Sequence, residues 1–210
     1  MKAAPRHQRD LDAARRVLAE LRDYEDSVAI IFDRPSGTDE RQMVFDRMDW
    51  SHPQRSGYYE KNKAFIARAP AGLSGILTED PVQVMFNGSV GPMRAVFSAL
   101  RSMAIADQFS VAVTEYEARD FSLVDVNAAG CSKGTTLAEW AARRGLTRDA
   151  VMAVGDNLND VDMLDYAGTA VVMGNATDAL KARGYILTGS NDEDGLASAI
   201  RQFCDLRISR

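Results

Sequence analysis

An unbroken apolar run, Ala150-Val151-Met152-Ala153-Val154, leads directly into Gly155-Asp156-Asn157-Leu158-Asn159-Asp160. Leu158, Val161 and Leu164 then recur at roughly helical spacing. A short buried strand, a tight polar turn and a helix account for this pattern. The turn carries two carboxylates and two amides, at the end of a strand where open α/β sheets place their ligand chemistry. Crowded hard oxygen atoms suit Mg²⁺. The same residue types also favour turns and helix N-caps. Taken alone, the cluster supports a capped turn as well as it supports a metal site.

The surrounding pattern sets the architecture. After residue 128 the order is helix, strand, helix, strand, helix, strand, helix, the alternation that produces a parallel sheet. Before it the pattern is mixed. Leu11, Ala14, Leu18 and Leu21 share one helical face. Residues 27–32 read as a strand, 42–45 as a short one, 50–59 as loop and 60–69 as helix. Val82-Gln83-Val84-Met85-Phe86 alternates and stops at Asn87-Gly88, a turn signal. Residues 93–103 form a second amphipathic helix, and strands at 111–114 and 121–126 are closed into a hairpin by 115–120. Helices on a largely antiparallel sheet make an α+β layer. The expected division is 1–128 and 129–210.

Bulk properties exclude several classes. Net charge is −5 with both signs interspersed, which argues against nucleic acid or an anionic membrane as the main partner. No apolar run approaches the roughly 20 residues of a membrane span. Lys2, Arg6 and Arg9 have no apolar stretch after them, so no signal peptide is read. Cys131 and Cys204 are too few for a disulfide framework, fit a reducing cytoplasm, and are expected to be small buried hydrophobes. His7 and His52 read as lone surface histidines. Trp50, Tyr58 and Tyr59 read as a satellite hydrophobic cluster.

Four short motifs follow one another in the second half: Ser132-Lys133-Gly134, Gly155-Asp156 with Asn159-Asp160, Asn175-Ala176 and Asp194-Gly195. In this order and spacing they resemble the C-terminal half of the haloacid dehalogenase (HAD) superfamily, most closely its Cof-type sugar-phosphatase branch. The likeness covers residues 130–200. It implies an α/β fold: residues 129–210 as the C-terminal half of a Rossmann-like core, and 1–128 as the α+β cap that this branch inserts between its core halves.

The resemblance implies roles residue by residue. Asp156 ligates Mg²⁺, and Asp160 binds the metal or orients its shell. Asn159 hydrogen-bonds near the phosphoryl group or orients Asp156. Lys133 pairs with the phosphoryl oxygens and the nucleophile, and Gly134 after it lets the backbone approach a ligand closely. Asn175 lies near the metal or caps a helix over 176–181, and Asp192 and Asp194 cap the last helix. Phosphoryl transfer is mostly positioning and charge neutralisation, so a cation and a lysine suit it. The expected activity is Mg²⁺-dependent hydrolysis of a small phosphorylated metabolite such as a sugar phosphate.

The family's first motif, Asp-x-Asp-Gly-Thr after an apolar strand, has no good match. Asp10-Leu11-Asp12 follows polar residues and runs into a helical stretch, where Asp10 reads as an N-cap or first-turn acid. Asp33 ends an apolar strand, but two extra residues separate it from Gly37-Thr38, and Pro35 stands where the second acid belongs. The resemblance therefore implies a phosphatase polypeptide lacking its nucleophile segment and inactive as it stands. The alternative is a non-catalytic binding or interaction protein derived from the same fold. Without a neighbouring strand, the apolar run at 150–154 would form a sheet edge through which the chain could self-associate.

Overall fold

Leu11, Ala14, Val17 and Leu21 line the buried side of helix α1 (Arg6–Glu20) and of its exit. The computed structural model describes residues 6–33, 42–69 and 72–204, with only the backbone for 6–10. Contacts divide the chain into two units, Met1–Gly130 and Cys131–Arg210.

The first unit continues with β1 (Val28–Ile31), β2 (Met43–Phe45), α2 (Pro53–Asn62), β3 (Ile66–Arg68) and α3 (Leu73–Ile76). It closes with β4 (Gln83–Gly88), α4 (Val90–Ser102), β5 (Phe109–Tyr116) and β6 (Phe121–Ala128). The strands form one six-stranded sheet in the order β3-β2-β1-β4-β6-β5, antiparallel except for the β2–β3 pair. Alternation sends Val28, Ile30, Val84, Phe86, Val124 and Val126 to one face, where Val17 of α1 and Met93, Val96 and Leu100 of α4 cover them. Ala29, Met43 and Phe45 turn to the other face and pack with Met48 and Ile66. Burying side chains of this size stabilises by about 1.5–3 kcal/mol each.

Residues 50–69 depart from the expected loop followed by helix. The helix begins at Pro53, because Pro at the first helical position needs no hydrogen bond and has its φ pre-set. His52 caps it: Nδ1 accepts from the Gln54 N–H (3.2 Å), so Nε2 carries the proton it donates to the Asp120 carbonyl (3.1 Å). His52 is thus a half-buried structural residue that also packs on Phe121. The helix ends at Asn62, and Ile66–Arg68 is strand, its register with β2 overriding the helical reading of 60–69. Trp50 packs on Phe45 and Tyr59 as the satellite cluster expected, with Tyr58 left exposed.

Asn87-Gly88 is not a turn; both residues lie in β4. The reason is Arg55 of α2, which is buried against them. Its Nε donates to Asn87 Oδ1 (2.7 Å), Nη1 to the Asp49 carbonyl (2.8 Å), and Nη2 to Ser27 Oγ (3.1 Å) and to the Asn87 carbonyl. A Cβ on Gly88 would stand 2.8 Å from Nη2. Burial lowers the guanidinium pKa, and Asp49 and Asp26 oppose that shift. The hairpin β5–β6 forms as expected, with Asp120 at φ 44° closing it.

The second unit alternates as expected for an α/β protein: α5 (Lys133–Arg143), β7 (Met152–Gly155), α6 (Val161–Tyr166), β8 (Thr169–Val172), α7 (Asp178–Lys181), β9 (Ile186–Leu187) and α8 (Gly195–Phe203). Its sheet runs β7-β8-β9, with both pairs parallel. Ala141, Val151, Ala153, Leu164, Val172 and Leu180 form its core. Among the described residues β7 has one strand neighbour, β8. Cys131 is exposed and Cys204 half-buried, which corrects the expectation that both are buried; each lies at a helix boundary rather than on a core face. No helix of the described residues is long and apolar enough to cross a membrane.

Candidate active-site half

Lys133 owes its position to the cap before it. Ser132 Oγ accepts the Thr135 N–H (3.1 Å), and Thr135 Oγ1 accepts the Ser132 N–H (2.9 Å), a reciprocal capping box. Lys133 is therefore the first residue of α5. Gly134 packs against the start of α6. A Cβ there would stand 2.6 Å from the Asp162 backbone, and its N–H donates to Asp162 Oδ2 (2.9 Å). This glycine lets α5 meet α6 closely, which corrects the sequence reading, and Asp162 is a contributor that reading missed.

The loop after β7 is organised by Asp160. Its carboxylate folds back over the strand end, and Oδ2 accepts the N–H groups of Asp156 (3.0 Å) and Asn157 (3.2 Å). Gly155 makes room, since a Cβ there would stand 2.6 Å from Asp160 Cβ. Asp160 Oδ1 accepts a 2.5 Å charge-assisted bond from Lys133 Nζ. The Asp160 side chain is 7% exposed and that of Lys133 50%. The spacing Gly-Asp-x-x-Asn-Asp thus encodes a self-bonded loop that presents one lysine and leaves the Asp156 side chain exposed.

Asn175 follows β8. Its Oδ1 accepts the Asn191 N–H (2.9 Å), and its Nδ2 lies 3.4 Å from Asp156 Oδ2. Asn175 is not an N-cap, because α7 starts three residues later, behind Thr177. The turn holding Asn191 is braced by Glu193, which accepts from the Ser190 N–H (3.0 Å) and hydroxyl (2.8 Å). Those bonds hold the Glu193 carboxyl below its usual pKa. Asp194 occupies the N-cap position of α8 at φ 55° without a side-chain capping bond, and Asp192 sits in the turn before it.

The structure brings Lys133, Asp160, Asp156 and Asn175 into one chain of contacts. Asn159 sits half-buried in the turn Leu158–Asp160. Asp160 spends its oxygens on Lys133 and two backbone donors, whereas Asp156 keeps an exposed carboxylate. No sequence signal marked the Asn191 N–H, because a backbone donor leaves no trace in residue identity. Asp10 lies inside α1 rather than at its cap or first turn, since the helix begins at Arg6. Asp33 is exposed just after β1, and the Pro-Ser-Gly stretch after it lies outside the described residues.

Mg²⁺ takes one or two carboxylates and completes its shell with water and phosphate oxygens. Among the described residues no group of three or more His, Cys, Asp or Glu side chains is placed to hold an ion. An exposed Asp156 carboxylate at a strand end fits a one-carboxylate contribution to such a shell.

The second unit is thus a parallel α/β layer with a lysine and carboxylates gathered beyond the end of β7. The chain belongs to the haloacid dehalogenase-like hydrolases, whose family model matches residues 57–200. The family read from the motifs is thereby borne out. Over 77 residues it is 48% identical to the pyridoxal phosphate phosphatase YbhA of Escherichia coli, covering 37% of this chain and 28% of that protein. The stretch matched is therefore under a third of that relative's length. A haloacid dehalogenase-like hydrolase from Bacteroides thetaiotaomicron superposes with a TM-score of 0.67 at 25% identity, over 91% of this chain and 66% of that one. The HAD subclass IIB sugar phosphatase BT4131 superposes with a TM-score of 0.65 at 18% identity, over 96% and 68%.

Proposed function

We propose that residues 129–210 form the phosphate- and metal-holding half of a Mg²⁺-dependent phosphatase acting on a small phosphorylated metabolite, with 1–128 as its α+β cap. The observation that carries this reading is the Lys133–Asp160 pair at the end of β7, beside the exposed Asp156. Lys133 binds phosphoryl oxygens, and Asp160 holds its ammonium in place. Asp156 holds the cation, which when bound supplies charge neutralisation at the phosphoryl group. Asn159 hydrogen-bonds near that group. Relatives acting on pyridoxal phosphate and on sugar phosphates support this substrate class.

Calorimetric titration with Mg²⁺ should show binding that Asp156→Ala abolishes; equal binding by both chains removes the assignment. Asp10 lies within a helix and Asp33 after a strand of an antiparallel sheet, which supports reading neither as the nucleophile. That favours a second reading, a protein that binds phosphorylated ligands without turning them over. A panel of sugar phosphates and p-nitrophenyl phosphate should give negligible turnover with residues 1–210. Robust turnover abolished by Asp33→Asn or Asp10→Asn would overturn this. The same reading makes the edge of β7 that no strand of the described residues pairs a pairing surface, and light scattering should show a dimer; a stable monomer with slow amide exchange across 151–154 would refute it.

A further inference from the structure

We propose that Asn175 is the positioning residue for the Asp156 carboxylate, an inference that rests on the metal assignment above. A carboxamide can present its oxygen or its NH₂ to a neighbour, and here the choice is made by the backbone. The Asn191 N–H reaches one end of the amide at 2.9 Å, and only oxygen can accept it. The NH₂ end is thereby turned toward Asp156 Oδ2, at 3.4 Å. That distance is the outer reach of a hydrogen bond, so the contact contributes direction more than strength.

The backbone leading to this amide is hydrogen-bonded on its N-terminal side. Gly174 N–H donates to the Gly189 carbonyl (2.9 Å) and Thr188 N–H to the Val172 carbonyl (3.0 Å), tying the end of β8 and the residue before Asn175 to the segment after β9. Asp156 is held from its other side through its own N–H, which Asp160 accepts. Asn175 therefore fixes the side chain whose backbone Asp160 fixes. With Oδ2 steered by the amide, Oδ1 is the oxygen offered to a cation. Partners of this kind, standing behind a metal ligand, typically govern affinity by tenfold or more.

The test uses the whole chain with Mg²⁺ alone, read by calorimetry and by the side-chain NH₂ signals in ¹H–¹⁵N spectra. Asn175→Ala should weaken Mg²⁺ binding by about 10- to 100-fold. In the metal-free parent the Asn175 NH₂ signals should sit apart from those of other amides, and Asp156→Ala should move them. Parental affinity in Asn175→Ala, with binding lost in Asp156→Ala, overturns the inference and leaves the metal assignment standing. If the parent binds no Mg²⁺, the metal assignment falls. In that case Asn175 signals left unmoved by Asp156→Ala would overturn the inference separately.

Discussion

Two clusters of polar side chains, one in each unit, are built by opposite rules. In the first unit Arg55 is buried and every arm of its guanidinium meets an acceptor from Asn87, Ser27 or Asp49. In the second, Asp156 is exposed, and its carboxylate meets the amide of Asn175 at the limit of bonding distance. A buried polar group without partners costs free energy, so Arg55 is saturated and serves the fold. A group that is to meet a ligand has to keep capacity in reserve. Saturation and exposure, more than residue type, separate the polar residues that hold this chain together from those available for chemistry.

The comparison is tested most severely by deleting both residues. Arg55→Ala would leave the Asn87 acceptors without their donors inside the sheet and a void under α2. It should cost about 3 kcal/mol in urea unfolding. Asp156→Ala should abolish Mg²⁺ binding yet stay within about 0.5 kcal/mol of the parent in stability, as surface substitutions do. A destabilisation of Asp156→Ala as large as that of Arg55→Ala would break the distinction.

Asp160 sharpens it, because it stands on both sides. Its carboxylate is buried and bonded to two backbone N–H groups, like a fold residue, and it also anchors Lys133, like a site residue. Asp160→Ala should cost about 2 kcal/mol, chiefly from the two orphaned N–H groups. The half-exposed Lys133 contributes less to that figure because solvent screens it. The same variant should weaken inorganic phosphate binding, since Lys133 loses its anchor. A variant that weakens phosphate binding at unchanged stability would make Asp160 a site residue alone.

What the sequence made legible follows the same line. The second unit was readable in order and class, because short apolar runs alternate with helical stretches and each chemical motif sits at an element boundary. Lys133, Asp156 and Asp160 were singled out by the family motifs in which they stand, and the bonds that place them run within a few residues or between the starts of α5 and α6. Residues 50–69 and Asn87-Gly88 were misread because their conformation is fixed from a distance. Arg55 reaches Asn87 across 32 positions of chain, and Ile66 becomes strand by pairing with Met43. The part played by Asn175 was only half legible: the residue was visible, but the Asn191 N–H that orients it was not.

The smallest expected effect lies at the far end of the second unit. Tyr185 donates its phenol proton to Asp165 Oδ1 at 2.5 Å, tying the approach to β9 to helix α6. Burial, and then this bond, raise its pKa above the ordinary tyrosine value of about 10. The unfolded chain therefore releases this proton at lower pH than the folded one. The stabilisation is whole below about pH 10 and is lost as pH rises through the elevated value. Solvent reaches the pair and keeps the effect small, so it has to be read as a difference. Urea midpoints measured from pH 8 to 11 should fall more steeply for the parent chain than for Tyr185→Phe, which has no phenol proton to lose. Parallel curves would show that the bond to Asp165 holds no proton in place and that Tyr185 belongs, like Asp156, with the side chains that the fold does not depend on.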